Sequence, residues 1–200
     1  MKDEVNHPIF SRFYILSQGM LEKYVGPIRA MHNSSASGRT LVIGAGTGLD
    51  IQYIGENVKE LVLVEPDLAM AEYLKQHYAK YQVVQCMAEH LSMEREQFDT
   101  VLTSLVLCSV DQVGLVLEEI ARVLKPGGQY LFFEHVAHDH TVPRFIQNAL
   151  NPMWSKMAGG CMLNRDIVRE LQQSTLELTE YRIAKQHFLV PMVVGRALKS

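Results

Sequence analysis

The stretch T-L-V-I-G-A-G-T-G-L-D, Thr40 to Asp50, decides how the rest of the chain is read. Leu41, Val42 and Ile43 run without interruption into Gly44, Gly46 and Gly48, the pattern of a buried parallel strand that ends in a glycine turn before a helix. Glycine leaves no side chain between a ligand and the backbone. A helix starting near Thr47 would present unpaired N–H groups and the positive end of its dipole, so the turn is expected to receive a carboxylate or a phosphate.

Working outward, Leu61 to Val64 reads as a second buried strand closed by Glu65-Pro66-Asp67. An acidic residue there, roughly 20 residues beyond the glycines, can accept hydrogen bonds from both hydroxyls of an adenosine ribose and would repel a 2′-phosphate. The dinucleotide fingerprint also needs a small residue three positions after Gly46, where this chain has Leu49, which weakens a nicotinamide or flavin reading. Asp67 reads as the N-cap of a helix that turns Leu68, Ala71, Leu74 and Tyr78 inward. Gln82 to Cys86 is a third strand, Thr100 to Ser104 a fourth, and Asp111 is expected to cap a helix with Val113, Val116, Leu117, Ile120, Val123 and Leu124 on one face. Lys125-Pro126-Gly127-Gly128 then turns the chain into a fifth strand, Gln129 to His135. Alternating strands and helices imply an open, mostly parallel sheet.

The flanks are less regular. Ile9, Phe13, Leu16 and Met20 recur at helical spacing between Pro8 and about Met31, with Gly26-Pro27 expected to break the pattern. From Val136 to Asn164 periodicity lapses, which reads as an irregular lid or mobile segment. Asn164 is expected to cap a short helix through Gln173. Leu176 to Gln186 and Leu189 to Leu198 then pair antiparallel around His187-Phe188.

Composition bounds the function. Two hundred residues with 48% hydrophobic content suit one compact unit. A net charge of -3 with no basic stripe gives no support for a nucleic-acid partner and favours small-molecule chemistry. The N-terminus lacks the apolar core of a signal peptide, and the longest apolar-rich run, Val101 to Val110, is too short to span a membrane, so a cytoplasmic protein without an integral membrane segment is expected. Cys86, Cys108 and Cys161 are odd in number and show no C-x-x-C spacing, which suits a reducing compartment.

Taken in order, V-I-G-A-G-T-G, V-E-P, C-M-A-E-H-L, F-D-T-V and L-K-P-G-G-Q-Y-L-F-F-E-H resemble the class I S-adenosylmethionine (SAM) methyltransferases over roughly residues 40–136. S-L-V-L-C-S-V (Ser104 to Val110) and N-P-M-W-x-x-x-x-G-G-C-M-L-N-R (Asn151 to Arg165) are similar to the alkyl-thiol methyltransferases and their small bacterial relatives, and H-P-I-F-S-R-F-Y to the bacterial members. The resemblance implies a Rossmann-like α/β fold: a mostly parallel seven-stranded sheet with an antiparallel last strand and helices on both faces. It implies a single domain over 1–200, with a helical segment at 7–32, a core at 39–136, a lid or acceptor segment at 137–164 and a helix and strand pair at 165–200. The expected cofactor is SAM, leaving as S-adenosylhomocysteine. Gly44, Ala45, Gly46 and Gly48 would receive its amino-acid end, Glu65 and Pro66 its ribose, and Met87 and Ala88 its adenine, with Tyr14 reaching its carboxylate. Family members often carry an acidic residue where this chain has Met87. Glu89 could substitute for it or lie in solvent.

Strand ends carry the ligand crevice of such a sheet, which puts Ser104, Leu105, Glu134 and His135 near the transferred methyl. His135 is a candidate catalytic base or orienting group, or a tie between strand and lid. Glu134 is structural or a ligand for a polar substrate atom. Trp154 and Cys161, with Met153, Met157 and Met162, line an acceptor pocket or pack the lid. The acceptor is expected to be a small lipophilic or thiol-bearing molecule. A quinone or phenol acceptor, and a non-catalytic SAM-binding module, are the alternatives. His138-Asp139-His140 is read as solvent-facing and no metal is expected. Oligomeric state stays open.

Overall fold

In a computed structural model of the protein, the backbone is described for residues 8–200, and side chains from Glu22 onward and for Ser11, Tyr14, Ile15, Leu16, Gln18 and Gly19. Of the residues read at helical spacing, the side chains of Ile9, Phe13 and Met20 fall outside those described, and Leu16 is exposed. Seven strands form one sheet among the described residues: β1 (Gly38–Ile43), β2 (Val58–Val64), β3 (Gln82–Val84), β4 (Phe98–Ser104), β5 (Leu124–His135), β6 (Glu177–Lys185) and β7 (Met192–Leu198), in the order β3-β2-β1-β4-β5-β7-β6. The first five run parallel, and β7 lies antiparallel to both β5 and β6. Thr40 to Ile43 pair with Leu61 to Val64 on one side and with Thr100 to Thr103 on the other. The chain reverses its direction of travel across the sheet between β1 and β4, and a crevice opens beyond the carboxyl ends of strands at such a point.

Among the described residues, five α-helices accompany the sheet: α1 (Pro8–Asn33), α2 (Leu68–His77), α3 (Val113–Val123), α4 (Thr141–Met157) and α5 (Ile167–Gln173). Alternation along the strands divides the core between the two faces. Leu41, Ile43, Val62 and Val64 pack with Val116, Leu117 and Ile120 of α3, while Val42, Leu61 and Leu63 pack with Leu74 of α2.

Several local expectations are corrected. No α-helix starts near Thr47: the turn leads into a three-residue 3-10 helix, Ile51–Tyr53, so a long helix dipole does not face the site. Gly26-Pro27 does not interrupt α1; Gly26 is small because a Cβ there would come within 2.6 Å of Tyr53 Oη. Asp67 caps α2 through Met70 N at 3.1 Å as expected, but Leu68 is exposed. Asp111 does not cap α3. Glu89, read as a solvated carboxylate or an adenine ligand, is buried and accepts from the backbone N–H groups of Asp111 and Gln112 at 2.8 and 3.4 Å. Asp166, not Asn164, caps α5. Lys125 to Gly128 form a bulge within β5, between the pairs Phe98–Leu124 and Thr100–Gln129. His138 is buried and accepts from the His140 N–H at 3.0 Å.

The largest correction is α4, a 17-residue helix where an irregular segment was expected. Pro143 stands in its first turn, where a missing N–H costs little. Its inward face is polar. Gln147 accepts from His138 N at 2.8 Å and donates to the Val136 and Leu189 carbonyls at 3.3 and 2.8 Å, and Asn151 accepts from Leu163 N at 2.8 Å. Val142, Phe145, Met153 and Met157 face outward. Val142, Phe145, Ile146, Ala149, Leu150, Met153 and Met157 do recur at helical spacing, but this stripe lies on the more exposed side of the helix, and the buried positions are Pro143, Gln147 and Asn151.

The glycine turn owes part of its composition to packing. Gly48 has φ +83°, and a Cβ there would meet Tyr78 Cε2 at 2.6 Å. Gly48→Ala is therefore expected to lose about 1–3 kcal/mol of stability in urea titrations, from strain and overpacking together.

Candidate active site

At the tip of β1, Gly44, Gly46 and Gly48 all take positive φ, which turns the backbone sharply under the crevice. They do different work. A Cβ on Gly44 would strike Val106 Cγ2 at 2.6 Å, as one on Gly48 would strike Tyr78, whereas a Cβ on Gly46 would meet only Tyr14 Cε1, at 3.9 Å. Gly46 thus keeps open space above the turn, and Gly44 and Gly48 admit neighbouring side chains. The Ala45 N–H is engaged by the Val64 carbonyl at 2.9 Å, so its contribution is to the shape of the turn.

Glu65 leaves the end of β2 beside this turn. Its Oε2 accepts from Gly46 N at 2.7 Å and its Oε1 from Asp67 N at 2.9 Å. The side chain is buried, and desolvation raises its pKa to about 7 against the two backbone hydrogen bonds that oppose the rise. Each oxygen retains a further acceptor lone pair. Pro66 and Met87 are half-buried beyond it, and Ala88 is buried in the core cluster that includes Val64.

Beneath the turn lies a buried polar knot. Asp50 Oδ1 accepts from Arg29 Nη1 at 2.8 Å, Asn33 Nδ2 at 2.7 Å and Ser104 Oγ at 2.7 Å. Glu22 stands 3.4 Å from Arg29 Nε. Gln18 Oε1 accepts from the Thr47 hydroxyl. Tyr14 is half-buried above Gly46, and burial raises its pKa. Asp50, Arg29 and Asn33 escaped the sequence reading. Their signal was the run Tyr14, Gln18, Glu22, Arg29 and Asn33, at near-helical spacing along a helix otherwise read for its apolar face.

The other wall follows β4. Leu105 takes φ +60°, a left-handed conformation that costs a leucine on the order of 1–2 kcal/mol and occurs where structure around it demands a turn. The turn aims the N–H groups of Val106 and Leu107 at Glu134 Oε1, both at 3.1 Å, where Thr103 Oγ1 also donates at 3.0 Å. Glu134 is fully buried, and desolvation raises its pKa. Its Oε1 is occupied by the protein itself, so Glu134 holds the 105–108 turn, while its Oε2 is buried without a hydrogen-bond partner among the described residues.

His135 does reach the following segment: its Nε2 lies 2.9 Å from Cys161 Sγ, which also accepts from Trp154 Nε1 at 3.3 Å. Cys108 Sγ closes the group, with the three ligand-type atoms within 4.8 Å of one another. The neighbouring Cys108 thiol and burial push the Cys161 thiol far above its ordinary pKa. Trp154 is half-exposed, while Met153 and Met157 lie open on α4.

Residues 41–132 match the family described as a methyltransferase domain. Thiol S-methyltransferase TMT1B of Rattus norvegicus is 26% identical over 201 residues, covering 94% of this chain and 82% of the relative. Its Homo sapiens counterpart is 27% identical, covering 86% of this chain and 75% of the relative. A crystallised SAM-dependent methyltransferase from Thermotoga maritima shares the fold with a TM-score of 0.71 at 20% identity, over 96% of this chain and 98% of that one. The chain is a class I SAM-dependent methyltransferase. It resembles the thiol methyltransferase group.

SAM is the group this fold implies, and the methyltransferase's own geometry fits it. The open position at Gly46, the carboxylate of Glu65 beside it and the crevice between β1 and β4 offer a hydroxyl acceptor next to a bend without side chains. Among the described residues, no helix is long and apolar enough to cross a membrane.

Proposed function

We propose that the methyltransferase alkylates a small lipophilic acceptor through a thiol. Glu65 would accept the two ribose hydroxyls, Gly44 to Gly48 would carry the amino-acid end with Tyr14 above it, and Pro66, Met87 and Ala88 would flank the nucleoside. Ser104 and Leu105 would floor the reacting end. Bound there, SAM supplies a methyl group on a sulfonium, so the donor is already activated. The protein's remaining task is to align a nucleophile and exclude water. A thiol, with a pKa near 8.5, presents a few per cent of thiolate at neutral pH and is intrinsically nucleophilic. His135, buried against Cys161, would orient or deprotonate it, and Trp154 and Cys161 would border it. Three free cysteines suit a cytoplasmic setting.

The observation that carries this reading is the similarity to thiol S-methyltransferases across 94% of the chain. It is joined by a reacting end lined with sulfur and aromatic side chains. Methyl transfer from labelled SAM to a panel of alkyl thiols, phenols and quinones tests it. Thiols are expected to be the methylated class. A protein that binds S-adenosylhomocysteine yet alkylates no panel member would be a binding module, and one that alkylates only phenols would exclude the thiol.

A further inference from the structure

Cys108, His135 and Cys161 come from three separate parts of the chain and meet at one point. Cys108 lies on the turn after β4, His135 ends β5, and Cys161 follows α4. The meeting is built from several sides. Met162 N donates to the Cys108 carbonyl at 2.8 Å, Arg165 Nη1 to the Leu107 carbonyl at 2.7 Å, and Ala137 N to the Arg165 carbonyl at 2.7 Å. Glu134 pins Leu107 from below. Cys108 and His135 are over nine-tenths buried, and His135 Nδ1 and Glu134 Oε2 are buried polar atoms without a hydrogen-bond partner among the described residues.

Two thiols and an imidazole are the ligand set of a catalytic zinc site that keeps its fourth position open for water or substrate. Zinc takes sulfur at ~2.3 Å and nitrogen at ~2.0–2.1 Å, so ligand atoms at the corners of a tetrahedron stand ~3.5–3.8 Å apart. The present separations, from 2.9 Å between His135 and Cys161 up to at most 4.8 Å, bracket that spacing. Side-chain adjustments of about an ångström suffice. We propose that Cys108, His135 and Cys161 bind one zinc ion whose open position takes the sulfur of the acceptor.

The second half of this proposal rests on the thiol reading of the acceptor. Zinc binding displaces the two cysteine protons to solvent, and His135 donates a nitrogen lone pair. When the acceptor R–SH enters, its sulfur replaces a zinc-bound water, the S–H bond breaks and the proton passes to solvent. No electron changes hands. The acceptor is then held as a thiolate at neutral pH, beside Leu105 and the cofactor end of the crevice.

The test uses the full chain, stripped of metal and titrated with zinc against a chromophoric chelator, and in parallel with cobalt as a spectroscopic stand-in. One equivalent is expected to bind, with a thiolate-to-cobalt charge-transfer band of intensity consistent with two thiolates. Cys108→Ser and Cys161→Ser are each expected to weaken binding at least tenfold, and Cys86→Ser to leave it unchanged. Calorimetric S-adenosylhomocysteine binding by the same variants shows that they are folded. No stoichiometric zinc, no thiolate band in the unsubstituted protein, or zinc retained by the double cysteine variant would overturn the site. Adding ethanethiol to the cobalt form is expected to shift the visible bands. If it does not, the acceptor half falls while the metal site stands. If the thiol panel is unreactive with zinc present and the bands still shift, the transfer reading fails and the site survives.

Discussion

Glu65→Gln is expected to weaken S-adenosylhomocysteine binding by about 100-fold in calorimetry, roughly 3 kcal/mol, because hydrogen bonds to a carboxylate contribute about 1.5–3 kcal/mol each and the amide nitrogen cannot accept one. The loss should carry a pH signature. Burial holds the carboxyl near 7 without ligand, so below that value it is largely protonated. Ribose hydroxyls donate to the ionised form and stabilise it, so binding at lower pH must expel a proton. Affinity is expected to fall by up to tenfold per pH unit below about 7 and to level off above it. In the glutamine variant this component should vanish. The ligand-free protein should show the opposite side of the same linkage. Between about 4.5, the group's ordinary value, and about 7, the folded state holds the proton more tightly than the unfolded chain. Stability is therefore highest below that window and declines as pH rises through it, by about 3 kcal/mol for this group. Urea titrations at either end of the window measure it. Equal affinity for the ligand in Glu65→Gln and the unsubstituted protein would remove Glu65 from the ribose.

Arg29→Met is expected to cost about 3–5 kcal/mol of stability, because it leaves the Asp50 carboxylate inside the protein without its cation. Side-chain exposure is 3% for Arg29 and 5% for Asp50, so solvent cannot replace the partner. Asn33 and Ser104 would still donate, yet neither carries charge. Combining Arg29→Met with Asp50→Asn removes the orphaned charge and should recover a substantial part of the loss. Thermal and urea unfolding of the single and double variants decide the matter. If the double variant is as unstable as the arginine variant alone, the ion pair is not what the knot depends on. Since Ser104 ends β4 and Asp50 closes the glycine stretch, the variant should also loosen the turn that faces the cofactor.

Much of this was legible in the chain. The central strands could be read because they are buried on both faces and so appear as unbroken apolar runs, and α3 because its stripe repeats at helical spacing. The place of Glu65 was readable because it directly follows the apolar run that forms the end of β2. What escaped did so for physical reasons. Glu89 looked solvated because its partners are backbone N–H groups at a helix start 22 residues away, which leave no mark on side-chain pattern. The hold of Glu134 on the 105–108 turn left no mark on side-chain pattern because two of its three donors are main-chain amides. The Cys108, His135 and Cys161 group has no spacing rule to betray it, since only the fold brings the three together. The buried knot of Arg29, Asn33 and Asp50 is polar and joins a helix to a turn, so the apolar pattern of the helix carries no trace of it.

Helix α4 is seated by amides on its buried side and carries its oily residues on the side that faces water. Detaching an ordinary amphipathic helix exposes hydrocarbon, at about 25 cal/mol for every square ångström. Here the main debt on detachment is a few hydrogen bonds, each worth a net 0.5–1.5 kcal/mol once water takes over the vacated groups. The placing of the segment that carries Trp154 and leads to Cys161 is therefore set by the directionality of Gln147 and Asn151 more than by the amount of surface it covers.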